Sequence, residues 1–287
     1  MISAIHKQDN GTIQLTITIP SNAVRKTWNE VVGEGVKNAN VPGFRKGKAP
    51  KQFVEEKIDK EKVREDVLKK LLPKFYSDAV LENNLTPIIN PKIHVDPDSL
   101  SIDAGRDWQF TALTCEAPEV KLNDYKQNIQ NISSKSKIIV PGKESFDSAQ
   151  GKKQEVKFED IVRALLESVT IKIPEILIDR EVERLLAQTL DDIKKLGLTL
   201  DQYLSSTNKT PEGLRDEYKK KAESDIRLEF ALQKIATSEH ITIEEKEVDE
   251  AIQKAKDEKE RKHLEANRYL LASILRQQKT LDFLKNL

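Results

Sequence analysis

Between Gly11 and Pro20 the chain alternates without a break, with Ile13, Leu15, Ile17 and Ile19 standing against Thr12, Gln14, Thr16 and Thr18. A period of two puts one set on each face, so the stretch predicts a half-buried β-strand. The period then changes. Ser21 offers a helix cap, and Val24, Trp28, Val31 and Val32 recur at helical spacing until Gly33 and Gly35 weaken the pattern, which predicts a helix of about four turns. Pro50 suits a first helical turn, with Phe53, Val54 and Ile58 as an apolar side. A longer helix is predicted through Val63, Val67, Leu71, Phe75, Ala79 and Val80, with a kink at Pro73. Strands are predicted at Lys92–Asp96 and Asp107–Glu116, where Trp108, Phe110 and Ala112 alternate with Gln109, Thr111 and Leu113. Residues 1–116 thus read as a small α+β domain.

From Asn131 to Lys157 both periods dissolve into SSKSK, PGKES and QGKK, a polar run that predicts a linker. Beyond it only helical spacing remains. Phe158, Ile161, Val162, Leu165 and Leu166 mark one helix, and Pro174 opens a second carrying Ile178, Val182, Leu185, Leu186 and Leu190. Thr210 and Pro211 start a third, with Leu214, Tyr218, Ala222 and Ile226 on one side. Thr242–Glu245 reads as a capping box ahead of Val248 and Ile252, and one last long helix is predicted to hold Leu264, Leu271, Ile274, Leu275, Leu281 and Leu284. These stripes are narrow, so some apolar surface is left short of a partner.

Charge narrows the range of functions. Lys+Arg 48 balances Asp+Glu 48 in 287 residues, so a general nucleic-acid coat is excluded and any phosphate contact is confined to a local patch. The N-terminus has no signal-peptide run and no stretch approaches the roughly 18 apolar residues of a membrane helix, which predicts a cytoplasmic protein with no membrane partner. Cys115 is the single cysteine and His6, His94, His240 and His263 are scattered, so no disulfide framework, metal site or catalytic constellation is expected, and no cofactor. The carboxylates lie on helix faces, where they solvate.

One loop breaks the charge balance. Between Glu34 and Glu55 stand five cations, Lys37, Arg45, Lys46, Lys48 and Lys51, and no acid. Gly43 and Gly47 permit tight turns, Arg45 and Lys46 can reach phosphates or carboxylates, and Phe44 can bury about 2 kcal/mol worth of surface in a partner. From chemistry alone the loop reads equally well as a solvated turn with Phe44 folded into its own core.

The pattern Gly43-Phe44-Arg45-x-Gly47-Lys48-x-Pro50 resembles the ribosome-binding signature of trigger factor, the bacterial nascent-chain chaperone. Its position after a strand and helix and before a longer helix is similar to that family's. The run Trp108–Val120 and the stretch from Ala164 to Gln188 also resemble it. The resemblance implies ribosome-binding residues Gly43, Phe44, Arg45, Lys46, Gly47, Lys48 and Pro50. It also implies docking on a large-subunit exit-tunnel protein and adjacent rRNA, and a helical domain that shields nascent polypeptides without ATP. A homodimer off the ribosome is compatible with spare apolar surface. The family usually carries a peptidyl-prolyl isomerase domain between its halves. Here that place holds 27 residues, against the at least about 50 a compact domain needs.

The expected architecture is therefore an α+β N-terminal ribosome-binding domain (1–116), an extended connection and flexible linker (117–157), and an all-α chaperone domain with extended helical arms (158–287). Val248, Ile252, Leu264, Tyr269 and Leu271 are candidate substrate contacts, although helical stripes pack internally more often than they bind. A ribosome-independent holdase or assembly factor is the alternative function, and a prolyl isomerase the third.

Overall fold

The computed structural model describes residues 3–38, 59–96, 100, 105–135 and 158–287. The ribosome-signature residues Gly43, Phe44, Arg45, Lys46, Gly47, Lys48 and Pro50 lie outside the described residues, as do Phe53, Val54, Ile58 and linker positions 136–157. The chain divides into two compact units: Met1–Ala117 with Pro174–Leu177, and Pro118–Ile173 with Ile178–Leu287.

In the first unit, strands β1 (Ser3–Lys7), β2 (Ile13–Ile19), β3 (Lys92–Val95) and β4 (Trp108–Thr114) form an antiparallel sheet in the order β1-β2-β4-β3. The predicted alternation of β2 holds at every position: Ile13, Leu15, Ile17 and Ile19 are buried and the residues between them half-buried. Helices α1 (Ser21–Asn38) and α2 (Lys60–Glu82) pack on each other and complete this core with Trp108, Phe110 and Ala112 of β4 and with Leu85 and Leu100. Along α2 the buried residues Val63, Val67, Leu71, Phe75 and Ala79 fall four apart, a single row toward the core. The helix continues through Pro73, which is exposed. It closes with Asn84 in the left-handed region (φ +51°) while the Leu85 N–H donates to the Val80 carbonyl at 3.0 Å.

Two local expectations change. The helix expected to fade near Gly33 runs 18 residues, because Val31 and Val32 are buried and Val36 packs against the core, outweighing the glycine penalty of about 1 kcal/mol each. Ser21 begins that helix instead of capping it. The Asp107 carboxylate accepts from the Ser21 N–H at 2.8 Å, so the first-turn donor is satisfied from the lead-in to β4.

The second unit is helical, with one short ribbon of β5 (Val120–Leu122) and β6 (Val169–Ile171). β5 and α3 (Tyr125–Lys135) occupy part of the stretch expected to be connection and linker. Tyr125 and Ile129 are buried, and α3 packs on α4 (Phe158–Ser168), so residues 120–135 belong to a folded core. The remaining helices are α5 (Glu175–Lys195), α6 (Leu200–Thr207), α7 (Pro211–Ser238), α8 (Glu245–Gln253), α9 (Glu258–Ala266) and α10 (Arg268–Lys285). Thr210 caps α7 by accepting from the Gly213 N–H at 3.0 Å, with Pro211 at the first helical position, as the sequence predicts. The capping arrangement expected over Thr242–Glu245 falls two residues later, where the Glu247 carboxylate accepts from the Glu244 N–H at 2.9 Å. The expected last long helix is two helices, separated at Asn267.

Candidate functional site

The apolar side chains left exposed in the second unit gather on a few elements. Leu190, Leu196, Leu198 and Leu200 are exposed where α5 turns into α6. Gly197 makes that turn at φ +72°, a region that a β-carbon disfavours. A capping box then starts α6: the Gln202 N–H donates to Thr199 Oγ1 at 3.2 Å and the Thr199 N–H donates to Gln202 Oε1 at 2.9 Å. The leucines are thus held by a closed local network.

Beside that turn, Leu186, Leu190, Leu200, Leu204, Pro211 and Leu214 line a groove of about 400 Å³. Its rim includes Glu212 and Arg215, and Thr189 and Tyr218 are joined at 2.6 Å through their hydroxyls. A second groove of about 480 Å³ runs along α4 and α7, floored by Phe158, Val162, Leu166 and Leu228 and edged by Glu159, Arg163, Glu167 and Arg227. It exists because α4 is apolar on two sides: Ile161, Ala164 and Leu165 fill the core while Phe158, Val162 and Leu166 are left over. Each groove is large enough for bulky apolar side chains and too open to hold a small molecule away from water.

The third surface is the first half of α10, where Tyr269 is 91% exposed, with Leu270 and Ile274 also exposed. The second half of that helix is held firmly. Arg276 Nε donates to the Ile241 carbonyl at 2.9 Å, and Lys279 Nζ to the Thr242 carbonyl at 3.1 Å and Glu247 Oε1 at 3.0 Å, while Leu284 is buried in the core. The N–H of Glu244 and then Lys279 hold the Glu247 carboxyl below its ordinary pKa. Nearby, Glu239 accepts from Lys126 at 2.8 Å and from the Tyr125 hydroxyl at 2.9 Å. Lys126 and then Tyr125 lower the Glu239 pKa, while burial and then that same hydrogen bond raise the pKa of Tyr125, which keeps its proton.

The substrate contacts predicted from sequence are divided by this arrangement. Tyr269 is the most exposed of the five; Leu264 and Leu271 are half-buried. Val248 and Ile252 are buried at 6% and 4% exposure, because α8 turns its only apolar side inward, so these two are packing residues and not surface contacts. Leu190, Leu196, Leu198, Leu200 and Phe158 escaped notice as surface. Leu190 and Phe158 sit at helical spacing with core residues, and only which neighbours arrive separates the two roles. Among the described residues no group of three or more His, Cys, Asp or Glu could hold a metal ion, and no helix is long and apolar enough to cross a membrane. Cys115 is fully buried.

The family model for the bacterial trigger factor protein (TF) matches residues 1–147, and the model for its C-terminus matches residues 143–286, so the two overlap at residues 143–147. Trigger factors of Staphylococcus epidermidis and Staphylococcus aureus are each 36% identical over 126 residues, 44% of this chain. That match spans 28% of the relatives' own length. A solved structure from work on promiscuous substrate recognition in folding and assembly by the trigger factor chaperone aligns over 99% of both chains, with a TM-score of 0.63 at 14% identity. The fold agrees across that alignment, and with family models covering both halves of the sequence the chain belongs to the trigger factor family.

Proposed function

We propose that this protein is an ATP-independent chaperone of the cytoplasm that docks at the ribosomal exit tunnel through Gly43–Pro50 and shields apolar segments of nascent chains with its second unit. The observation that carries the reading is the grouping of exposed Leu190, Leu196, Leu198 and Leu200 beside a leucine-lined groove, on a fold whose family includes a chaperone of promiscuous substrate recognition. A monomeric protein rarely leaves such a patch without a partner for it. Shallow apolar contact is reversible and requires no nucleotide. The loop signature supports docking on a large-subunit protein and adjacent rRNA, since an aromatic beside Arg and Lys is the kind of small cluster that dominates interfaces.

We also propose that the chain has no prolyl isomerase activity, because the two family models meet at residues 143–147 with no room between them for a further domain. Two assays test the reading together. Co-sedimentation with ribosomes should be lost in the Phe44→Ala, Arg45→Ala, Lys46→Ala variant, while suppression of client aggregation survives; a triple variant that still co-sediments removes the loop as the dock. Aggregation suppression should fall in the Leu190→Ser, Leu200→Ser variant, while ribosome binding survives. Unchanged suppression there removes the groove. Catalysed refolding of a proline-limited substrate would show that an isomerase is present after all.

A further inference from the structure

One edge of the first unit's sheet is formed by β1. β1 ends the sheet order β1-β2-β4-β3 and, among the described residues, pairs only with β2, in the register Ala4↔Thr16, Ile5↔Leu15, His6↔Gln14 and Lys7↔Ile13. The Gln8 N–H donates to the Thr12 carbonyl at 2.9 Å, which makes Gln8 and Thr12 a hydrogen-bonded pair at the hairpin end. Inward bonding alternates along an antiparallel ladder, so it falls next on His6 and Ala4. The N–H and C=O groups of Ser3, Ile5 and Lys7 therefore point outward, away from β2.

The edge is also open. Ala4, Ile5, His6 and Lys7 are all exposed, and Ile5 keeps 39% of its surface accessible although it stands opposite the fully buried Leu15. Sheet edges are ordinarily blunted by proline, by unpaired charges or by a covering loop. Between Ser3 and Lys7 there is no proline, and the one full charge, Lys7, is drawn to Glu116 at 3.6 Å.

We infer that β1 binds an extended segment of unfolded polypeptide by strand addition, with main-chain bonds to Ile5 and Lys7 and an apolar client side chain covering Ile5. The inference rests on the client-holding function proposed above and names a second, chemically different way of meeting that function. Main-chain bonds ask nothing of the client's sequence, which suits clients that share none. A second copy of this chain is the poorer occupant. Five residues span about 17 Å of edge, and pairing over that length falls far short of the roughly 1,200 Å² of a stable interface. A transient, repeatedly exchanged strand needs no more.

The test uses the full chain with reduced, carboxymethylated α-lactalbumin as an unfolded probe. Amide hydrogen exchange at Ile5 and Lys7 should slow when the probe saturates the protein, while His6 and Ala4, already bonded to β2, change little. Lys7→Pro removes one outward N–H and leaves the ladder intact; it should weaken probe binding about three- to tenfold without altering the melting temperature. His6→Pro is the control, since it breaks an inward bond and should lower the melting temperature instead. If the probe protects amides of the second unit but leaves Ile5 and Lys7 unchanged, or if Lys7→Pro binds as well as wild type, strand addition is wrong while the proposed function stands. Protection of Ile5 and Lys7 that rises with protein concentration alone would mean self-pairing and also overturns it. A probe that protects no amide and whose aggregation is not suppressed overturns both readings.

Discussion

The two units solve the same problem of burial differently. The first wraps two helices over one face of a sheet, and its core is contiguous from Ile13 to Ala112, with Leu15, Ile17 and Ile19 fully buried. Its exposed large apolar residues among the described positions are Ile5, Leu81 and Ile88. In the second unit the core is a narrower seam of Ile129, Leu165, Ile235 and Leu284, and among the described residues eight large apolar side chains stay exposed. Placement matters more than number here, because the second unit is also the larger. Its exposed residues fall on one side of α4, at the α5–α6 turn and on the first half of α10. A sheet face offers a broad surface that two helices can cover, whereas a helix buries a stripe and presents the rest to whatever comes. The lesson is that one unit spends its apolar residues on stability and the other keeps part of them available.

The largest effect should come from breaking the first unit's core. Ile17 is fully buried and faces the helices, so Ile17→Ala should cost about 2–5 kcal/mol, the usual range for removing a large aliphatic side chain. Chemical denaturation of the variant, followed by Trp28 and Trp108, both of which lie in the first unit, should show that unit unfolding at clearly lower denaturant. Circular dichroism at 222 nm, dominated by the helical second unit, should keep the transition it has in the wild type. A single coincident shift of both signals would mean that the units are not energetically separate.

Legibility in the sequence follows the same contrast. β2 and β4 were readable because each pairs on both sides and buries one face, which forces strict alternation at Ile13–Ile19 and Trp108–Thr114. β1 was not, since an edge strand with one buried residue has no reason to alternate. The three-residue strands β5 and β6 are too short to show any period, and α3 was hidden because its polar exposed side resembles a linker, while Tyr125, Ile129 and the half-buried Ile132 carry its packing. The break at Asn267 was missed because Leu264 and Leu271 keep helical spacing across it. For the candidate site, residue type was legible and exposure was not. Val248 and Tyr269 look alike as members of a stripe, and only the arrangement of α8 and α10 buries one and exposes the other.

An intermediate effect is expected from acid. The Glu239 carboxylate has a folded-state pKa depressed by Lys126 and Tyr125, so its contribution to stability is complete above the ordinary glutamate value of about 4.3 and is lost as pH falls through the lower folded value. Between about pH 5 and 3 the second unit of the wild type should therefore lose melting temperature faster than that of Glu239→Gln, which has no charge to lose. At pH 7, where the carboxylate is charged and paired, the variant melts lower than the wild type, and the gap closes as pH falls. Parallel acid profiles for the two proteins would mean that the contact of Glu239 with Lys126 and Tyr125 contributes nothing measurable, and that the seam holds by apolar packing alone.

The smallest effect on stability should fall where the second unit is most exposed. Tyr269, at 91% exposure, and Leu270 lie on the first half of α10, between the Arg268–Asp249 ion pair at 2.7 Å and the Arg276 and Lys279 bonds that secure the rest of the helix. Neither side chain is among those buried in the second core, so replacing both with serine removes little apolar contact and should change stability by less than about 0.5 kcal/mol per position, the range of ordinary surface substitutions. Serine is a weaker helix former than leucine by only a few tenths of a kcal/mol, and the capped, anchored half of α10 carries that cost. Function should respond out of proportion. If this surface holds clients, the doubly substituted protein should need several-fold more chaperone to suppress aggregation of the same client, while its melting curve overlays that of the wild type. An overlaying melt with unchanged suppression would confine client contact to the two grooves. A lowered melt would show that Tyr269 and Leu270 belong to the packing of the second unit, and the contrast between a unit that buries and a unit that offers would lose one of its three surfaces.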